Sequence, residues 1–145
     1  MKTNPRYLAV LAVQKFEESG DFLAEILDSF IQNADLKTVD RSLFTELVYG
    51  TVRMKLNLDY VIQKFSSRPL HKIDPKILQL LRISVYQILY LDRIPDSAAV
   101  NEAVKIASRI SHQGTKGFVN GLLRSVSRGK EKLSYPDPEK DPTNY

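Results

Sequence analysis

Residues 77–91 are apolar on nearly every side when the segment is drawn as a helix. Its polar interruptions are Gln79, Arg82, Ser84 and Gln87. A helix that is apolar all round has to be buried. This one is too short to cross a membrane, which takes about 18 consecutive apolar residues. We therefore predict that it forms the centre of a globular domain with other helices packed around it, and we expect no membrane partner.

Start and stop signals divide the rest of the chain into further helices. Asn4-Pro5 and Asp74-Pro75 each place a capping residue before proline at the first helical position. Apolar residues at helical spacing predict four helices in the first half: from Pro5 to Ser19, from a cap at Asp21 to Asn33, from about Asp40 to Val52, and over 58–65 after a break at Asn57. Three more are predicted from Pro75 to about Leu91, after Pro95 as far as Ile110, and from a cap at Thr115 to Arg128, where Gly129 stops the last. No segment alternates as a strand would, so the predicted fold class is all-α.

The charge of the chain is unevenly distributed. The 145 residues, enough for one domain, carry a net charge of +4. Residues 21–40 hold five acidic residues and one basic residue, whereas 101–132 hold seven basic and two acidic ones. The basic part is a candidate surface for a polyanion such as RNA, and the alternative is a set of solvated helix surfaces.

The residues that usually carry catalysis are scarce. The chain has no cysteine, and its two histidines, His71 and His112, each lie alone in a polar region without a second ligand at metal spacing. No glycine-rich cofactor loop follows a strand. We therefore expect no catalytic residue, no metal and no cofactor in this chain. The absence of cysteine and of a secretory leader favours a cytoplasmic location.

The last predicted helix has two different faces. Phe118, Val119, Leu122, Leu123 and Val126 share one side, and Gly117, Asn120, Gly121, Arg124 and Arg128 share the other. Glycine inside a helix lowers stability by about 1 kcal/mol relative to alanine, so a bare backbone should serve a purpose here. It admits either an RNA backbone, with the arginines on phosphates, or a closely packed helix bonded through Asn120.

Other basic residues extend this candidate surface. Lys116 and Lys130 flank the last helix, and Lys2 and Arg6 lie at the positive end of the first helix dipole, where a phosphate is favoured. The candidate RNA-binding residues are Lys2, Arg6, Lys116, Asn120, Arg124, Arg128 and Lys130.

A mixed stripe of Arg82, Tyr86 and Tyr90 runs along the central helix. Tyrosines beside arginine are able to stack on unpaired bases. The favoured interpretation is an inner seam, in which these polar groups bond to neighbouring helices or to a partner domain.

Three segments resemble the NusB family. They are residues 90–107, YLDRIPDSAAVNEAVKIA, residues 117–123, GFVNGLL, and residues 46–53, ELVYGTVR. The resemblance covers about residues 4–128. The last of these segments, with LRISVYQILYLDRIP at 81–95, favours the amino-terminal domain of Sun or RsmB type 16S ribosomal RNA cytosine-5 methyltransferases over the free-standing antitermination factor.

The resemblance implies a bundle of about seven helices in two halves, over residues 1–129, that binds ribosomal RNA and positions it for a methyltransferase domain linked to it in the full-length protein. Residues 130–145 would be a linker or tail toward that missing domain, which alone would bind S-adenosylmethionine. In the free-standing antitermination factor, RNA contacts involve a basic amino terminus, of which only Lys2 and Arg6 remain here. The alternative is a transcription antitermination factor or protein-interaction module, with a ribosomal protein as partner.

Overall fold

The computed structural model describes residues 3–111 and 114–133. This part of the chain forms seven α-helices: α1 (Pro5–Ser19), α2 (Leu23–Asn33), α3 (Thr38–Arg53), α4 (Lys55–Phe65), α5 (Pro75–Tyr90), α6 (Asp96–Ile110) and α7 (Thr115–Gly129). Short 3₁₀ turns at Leu70–Lys72 and Lys130–Lys132 follow α4 and α7. The described residues contain no strand, so the all-α prediction is confirmed.

Helix α5 lies at the centre of the bundle, as its sequence predicts. Every residue from Leu80 to Ile88 is buried, and α1, α3, α4, α6 and α7 all pack against this helix. Helix α1 packs most extensively on α3, and α6 on α7, so two halves share α5. Among the described helices, none has the length and apolarity needed to cross a membrane.

Both cap-and-proline signals start helices as predicted. Asn4 Oδ1 accepts hydrogen bonds from the backbone N–H groups of Arg6 and Tyr7, at 2.9 and 3.1 Å. Asp74 Oδ1 accepts from Lys76 and Ile77 in the same way, at 3.0 and 3.4 Å. These bonds satisfy amide groups that have no partner within the helix.

Two other predicted caps are wrong. Asp21 does not cap α2, because its backbone N–H donates to the Ser19 hydroxyl and the chain continues one residue further, so that Phe22 takes the cap position without a side-chain bond. Thr115 is the first residue of α7 rather than its cap. Gly114 takes that position with a φ of 98°, a conformation that glycine adopts without strain.

The break between α3 and α4 falls at Met54 and not at Asn57, which lies inside α4. No proline or glycine marks this point. The buried residues Leu47, Thr51, Leu58 and Ile62 keep the spacing of one continuous helix across it. The partners of the two helices decide the break, since α3 packs mainly on α1 whereas α4 packs on α5 and α7.

The end of α7 is packed tightly. A Cβ atom on Gly129 would lie 2.8 Å from Cζ of Phe65, so glycine is needed for close approach to α4. Lys130–Lys132 then forms its 3₁₀ turn, and Leu133 packs against the core. The predicted tail beyond this point lies outside the described residues, and the domain boundary at residue 129 stays a prediction.

Candidate nucleic-acid interface

The outer face of α7 is open along its two interior glycines. A Cβ atom built on Gly117 or Gly121 would have no heavy atom within 4 Å outside its own helix. No helix of the described chain therefore packs closely over these positions, and that alternative is wrong within this chain. The opposite side of α7 supplies the buried residues Val119, Leu122, Leu123 and Val126.

Two arginines stand on this open face. Arg124 Nε donates to Asn120 Oδ1 at 3.1 Å, which orders the guanidinium along the helix surface. Arg124 and Arg128 are both exposed, and they line a shallow groove of about 300 Å³ with the start of α6, including Ser97 and Asn101. The structure thus brings Asn120, Arg124 and Arg128 together as predicted.

Lys130 is bound to the protein itself. Its Nζ lies 3.0 Å from Asp96 Oδ2 and 3.1 Å from Oδ1, and it donates to the carbonyl of Ile88 at 3.3 Å. The Ser127 hydroxyl donates to the same carboxylate at 2.7 Å. Lys130 therefore neutralises the acidic residue beside Arg128, and its own charge is already paired.

Arg6 lies apart from the α7 face and is also held by the fold. Its Nε donates to Gln87 Oε1 at 2.8 Å, and Nη1 lies 3.9 Å from Glu102 Oε1. Burial lowers the pKa of Arg6, while the charges of Glu102 and Asp40 oppose this shift. Arg6 links α1 to α5 and α6. Lys2 lies outside the described residues.

The amino-terminal end of α7 carries additional positive charge. Lys116 is exposed in its first turn. The guanidinium of Arg68, from the loop after α4, lies 4.3 Å from the centroid of the Phe118 ring, which is a cation–π contact. The loop therefore places a cation against Phe118, although the two residues are far apart in the sequence.

Comparison with known proteins identifies the family. The NusB family profile matches residues 3–128, which is most of the chain. The chain belongs to the NusB family.

Relatives of this NusB-family domain occur in two kinds of protein. It is 45% identical over 127 residues to the probable ribosomal RNA small subunit methyltransferase B of Bacillus subtilis (strain 168), covering 88% of this chain and 28% of that protein. It is 34% identical over 126 residues to the transcription antitermination protein NusB of Shewanella pealeana (strain ATCC 700345 / ANG-SQ1), covering 86% of this chain and 93% of that protein. The domain thus spans less than a third of the methyltransferase relative.

Solved structures share the fold of this NusB-family domain. T. maritima NusB superposes with a TM-score of 0.79 at 21% identity, over 91% of this chain and 96% of that one. A structure of the antitermination factors NusB and NusE in complex with double-stranded RNA gives a TM-score of 0.78 at 19% identity, over 87% of this chain and 95% of that one. The predicted seven-helix NusB architecture is confirmed.

A second basic groove of the domain was not among the predicted site residues. Lys105 and Arg109, one turn apart and exposed on α6, line a groove of about 400 Å³ with Asn4 at the start of α1. The i, i+4 spacing of these two residues within the basic segment was the signal that could have identified them. Their proximity to the amino terminus depends on how α1 and α6 pack.

Arg82 belongs to an inner seam, which confirms the favoured interpretation for this residue. Its Nε and Nη2 donate to Asp59 Oδ1 and Oδ2 at 2.7 and 2.9 Å, and Nη1 donates to Glu17 and Gln79 at 3.3 and 3.2 Å. Arg82 is only 6% exposed, so it is unavailable to a base.

The described residues also hold no cluster of three histidine, aspartate or glutamate side chains suited to a metal.

Proposed function

We propose that this domain binds ribosomal RNA through the outer face of α7 and positions it for a cytosine-5 methyltransferase domain of the same cytoplasmic protein. The observation that carries the proposal is the open helix backbone at Gly117 and Gly121 beside exposed Arg124 and Arg128. A phosphate backbone approaches closely where no side chain intervenes, and the arginines supply the positive charge that binding requires.

The methyltransferase relatives support the second half of the proposal. The identity of 45% to a probable ribosomal RNA methyltransferase is confined to a region that makes up 28% of that protein. Methyl transfer would then belong to the remainder of such a protein, and this domain would hold the substrate.

Replacing Arg124 and Arg128 together with alanine should weaken binding to a 16S ribosomal RNA fragment by at least about ten-fold, because two charged phosphate contacts are lost. The slope of log affinity against log salt should fall by about two units, one for each contact. Both quantities are obtained by titration between about 50 and 200 mM salt. Melting temperature should hardly change, since both side chains are exposed.

The matched control is Lys15→Ala with Lys72→Ala, which removes the same number of positive charges from exposed positions on α1 and on the 3₁₀ turn after α4. It should leave most of the affinity intact.

Gly121→Leu should block RNA binding without unfolding the domain, because its side chain would project into open space. Equal affinity of the arginine pair and the parent chain would eliminate the α7 face as the RNA site.

We also propose that this chain binds no S-adenosylmethionine and transfers no methyl group, because it offers no cysteine nucleophile and no glycine-rich loop. Isothermal calorimetry with the cofactor should give no saturable heat at micromolar concentrations. A saturable signal that disappears with heat-denatured protein would contradict this assignment.

A second candidate function is that of an antitermination factor, which acts in the regulation of transcription. Its support is the 34% identity to a NusB that this chain covers over 93% of its length. A protein of this kind would bind a ribosomal protein as well as RNA. Under this alternative, purified NusE should bind the chain tightly and should still bind the Arg124 and Arg128 double variant. Absence of NusE binding would favour the methyltransferase function.

A further inference from the structure

A different groove lies between α3 and the carboxyl-terminal half of α5, and α7 contributes nothing to its lining. The groove has a volume of about 470 Å³, within the size range of ligand pockets. Its main lining residues are Arg41, Thr45, Glu46, Tyr49, Arg53 and Tyr86. No aliphatic side chain lines it, so it offers no anchor pocket for the apolar residues that dominate protein interfaces.

Residues on one side of α3 line this groove along its length. Arg41, Thr45, Tyr49 and Arg53 follow one another at intervals of four residues, which places them along one side of the helix. At 1.5 Å per residue the two arginines are about 18 Å apart along the axis, with the tyrosine between them. Tyr49 is 42% exposed, and both arginines are exposed.

The groove carries a net positive charge. Neither Arg41 nor Arg53 forms an ion pair with another residue that the structure describes. Glu46 is the one carboxylate among the lining residues, and it is bound by Arg93, whose Nη2 and Nη1 donate at 2.6 and 3.3 Å. This hydrogen bond raises the pKa of Arg93. The positive charge of Arg93 offsets the negative charge of Glu46. Two unpaired positive charges remain.

The floor of the groove is aromatic. A Cβ atom on Gly50 would overlap Cζ and the hydroxyl oxygen of Tyr86, so only glycine lets this ring lie against α3. The Tyr90 ring packs against it, with centroids 5.4 Å apart and planes tilted by 42°. The groove therefore combines an exposed tyrosine, a tyrosine floor and an arginine at either end.

We infer that this groove binds a segment of single-stranded RNA, with a base stacked on Tyr49 and backbone phosphates on Arg41 and Arg53. Exposed aromatic rings interleaved with unpaired cations are the features by which proteins hold unpaired strands. The inference deepens the proposed function, on which it rests for the identity of the RNA, and it adds a second contact surface on the α3 side of the domain.

The test uses an eight-nucleotide single-stranded RNA with 2-aminopurine at its centre, titrated by fluorescence into the chain and its variants. Tyr49→Ala should weaken binding by about ten-fold and abolish the stacking signal, because one base loses its platform. Tyr49→Phe retains the ring and should behave as the parent does. Arg41→Ala with Arg53→Ala should lower the salt slope by about 1.4 units, since each contact to a single strand contributes about 0.7.

Lys15→Ala with Lys72→Ala again controls for charge, and melting temperatures show that each variant is folded. If Tyr49→Ala and the α3 arginine pair bind the RNA as tightly as the parent chain does, the inference is overturned. If those variants instead lose binding to NusE, the groove belongs to a protein partner. The α7 face is tested separately. If only the variant Arg124→Ala with Arg128→Ala loses RNA binding, the proposed function stands and this inference fails. If only the α3 variants lose RNA binding, the groove is the RNA site and the α7 assignment fails.

Discussion

Replacing Asp59 with alanine should lower the free energy of unfolding by about 3 kcal/mol, because it leaves the buried guanidinium of Arg82 without its bidentate partner. The Arg82 side chain is 8% exposed and that of Asp59 20%. Glu17 remains 3.3 Å away as a partial replacement, which places the expected loss at the lower end of the range for a broken buried pair. Urea denaturation followed by circular dichroism measures the change.

Two further variants separate charge from packing at this pair. Glu17→Gln should lower stability by about 1 kcal/mol or less, since the Glu17 side chain is 31% exposed and solvent screens its attraction to Arg82. Arg82→Met with Asp59→Leu removes both buried charges and should recover most of the stability lost in Asp59→Ala. A loss below about 1 kcal/mol in Asp59→Ala would show that Arg82 is solvated rather than paired.

Replacing Gly50 with alanine should also destabilise the domain by about 3 kcal/mol, because the added methyl group would occupy the space of the Tyr86 ring. Tyr86 is 4% exposed and packed against Tyr90, so displacing the ring would disturb the packing around it. Thermal unfolding of the variant against the parent provides the measurement, with an expected fall in Tm of several degrees.

Gly121→Ala is the matched control, because it makes the same change within a helix at a position open to solvent. It should stabilise the domain by up to about 1 kcal/mol through helix propensity. In a Tyr86→Ala background, Gly50→Ala should lose its penalty and behave as Gly121→Ala does. A neutral or stabilising effect of Gly50→Ala in the presence of Tyr86 would refute the close packing of α3 on that ring.

The identity of most helices, the caps at Asn4 and Asp74, and the burial of α5 were predictable from the sequence. Each depends on residues a few positions apart. A cap binds amide groups two or three residues ahead, and a helix without a polar face has to be enclosed wherever it lies. The two faces of α7 follow from the 3.6-residue period alone, which is why Arg124 and Arg128 were assigned to the surface that they occupy.

Tertiary structure decided the features that join distant parts of the chain. The position of the Met54 break depends on the different partners of α3 and α4, and no local signal marks it. Lys130 resembles its exposed neighbours in sequence, yet Asp96, which pairs with it, arrives from another helix. The basic character of the α3 groove depends on Arg93, which neutralises Glu46, 47 residues earlier in the chain. Periodicity places a side chain on a face, but its charge, solvation and partners depend on which other face packs beside it, and that is determined only when the whole core is assembled.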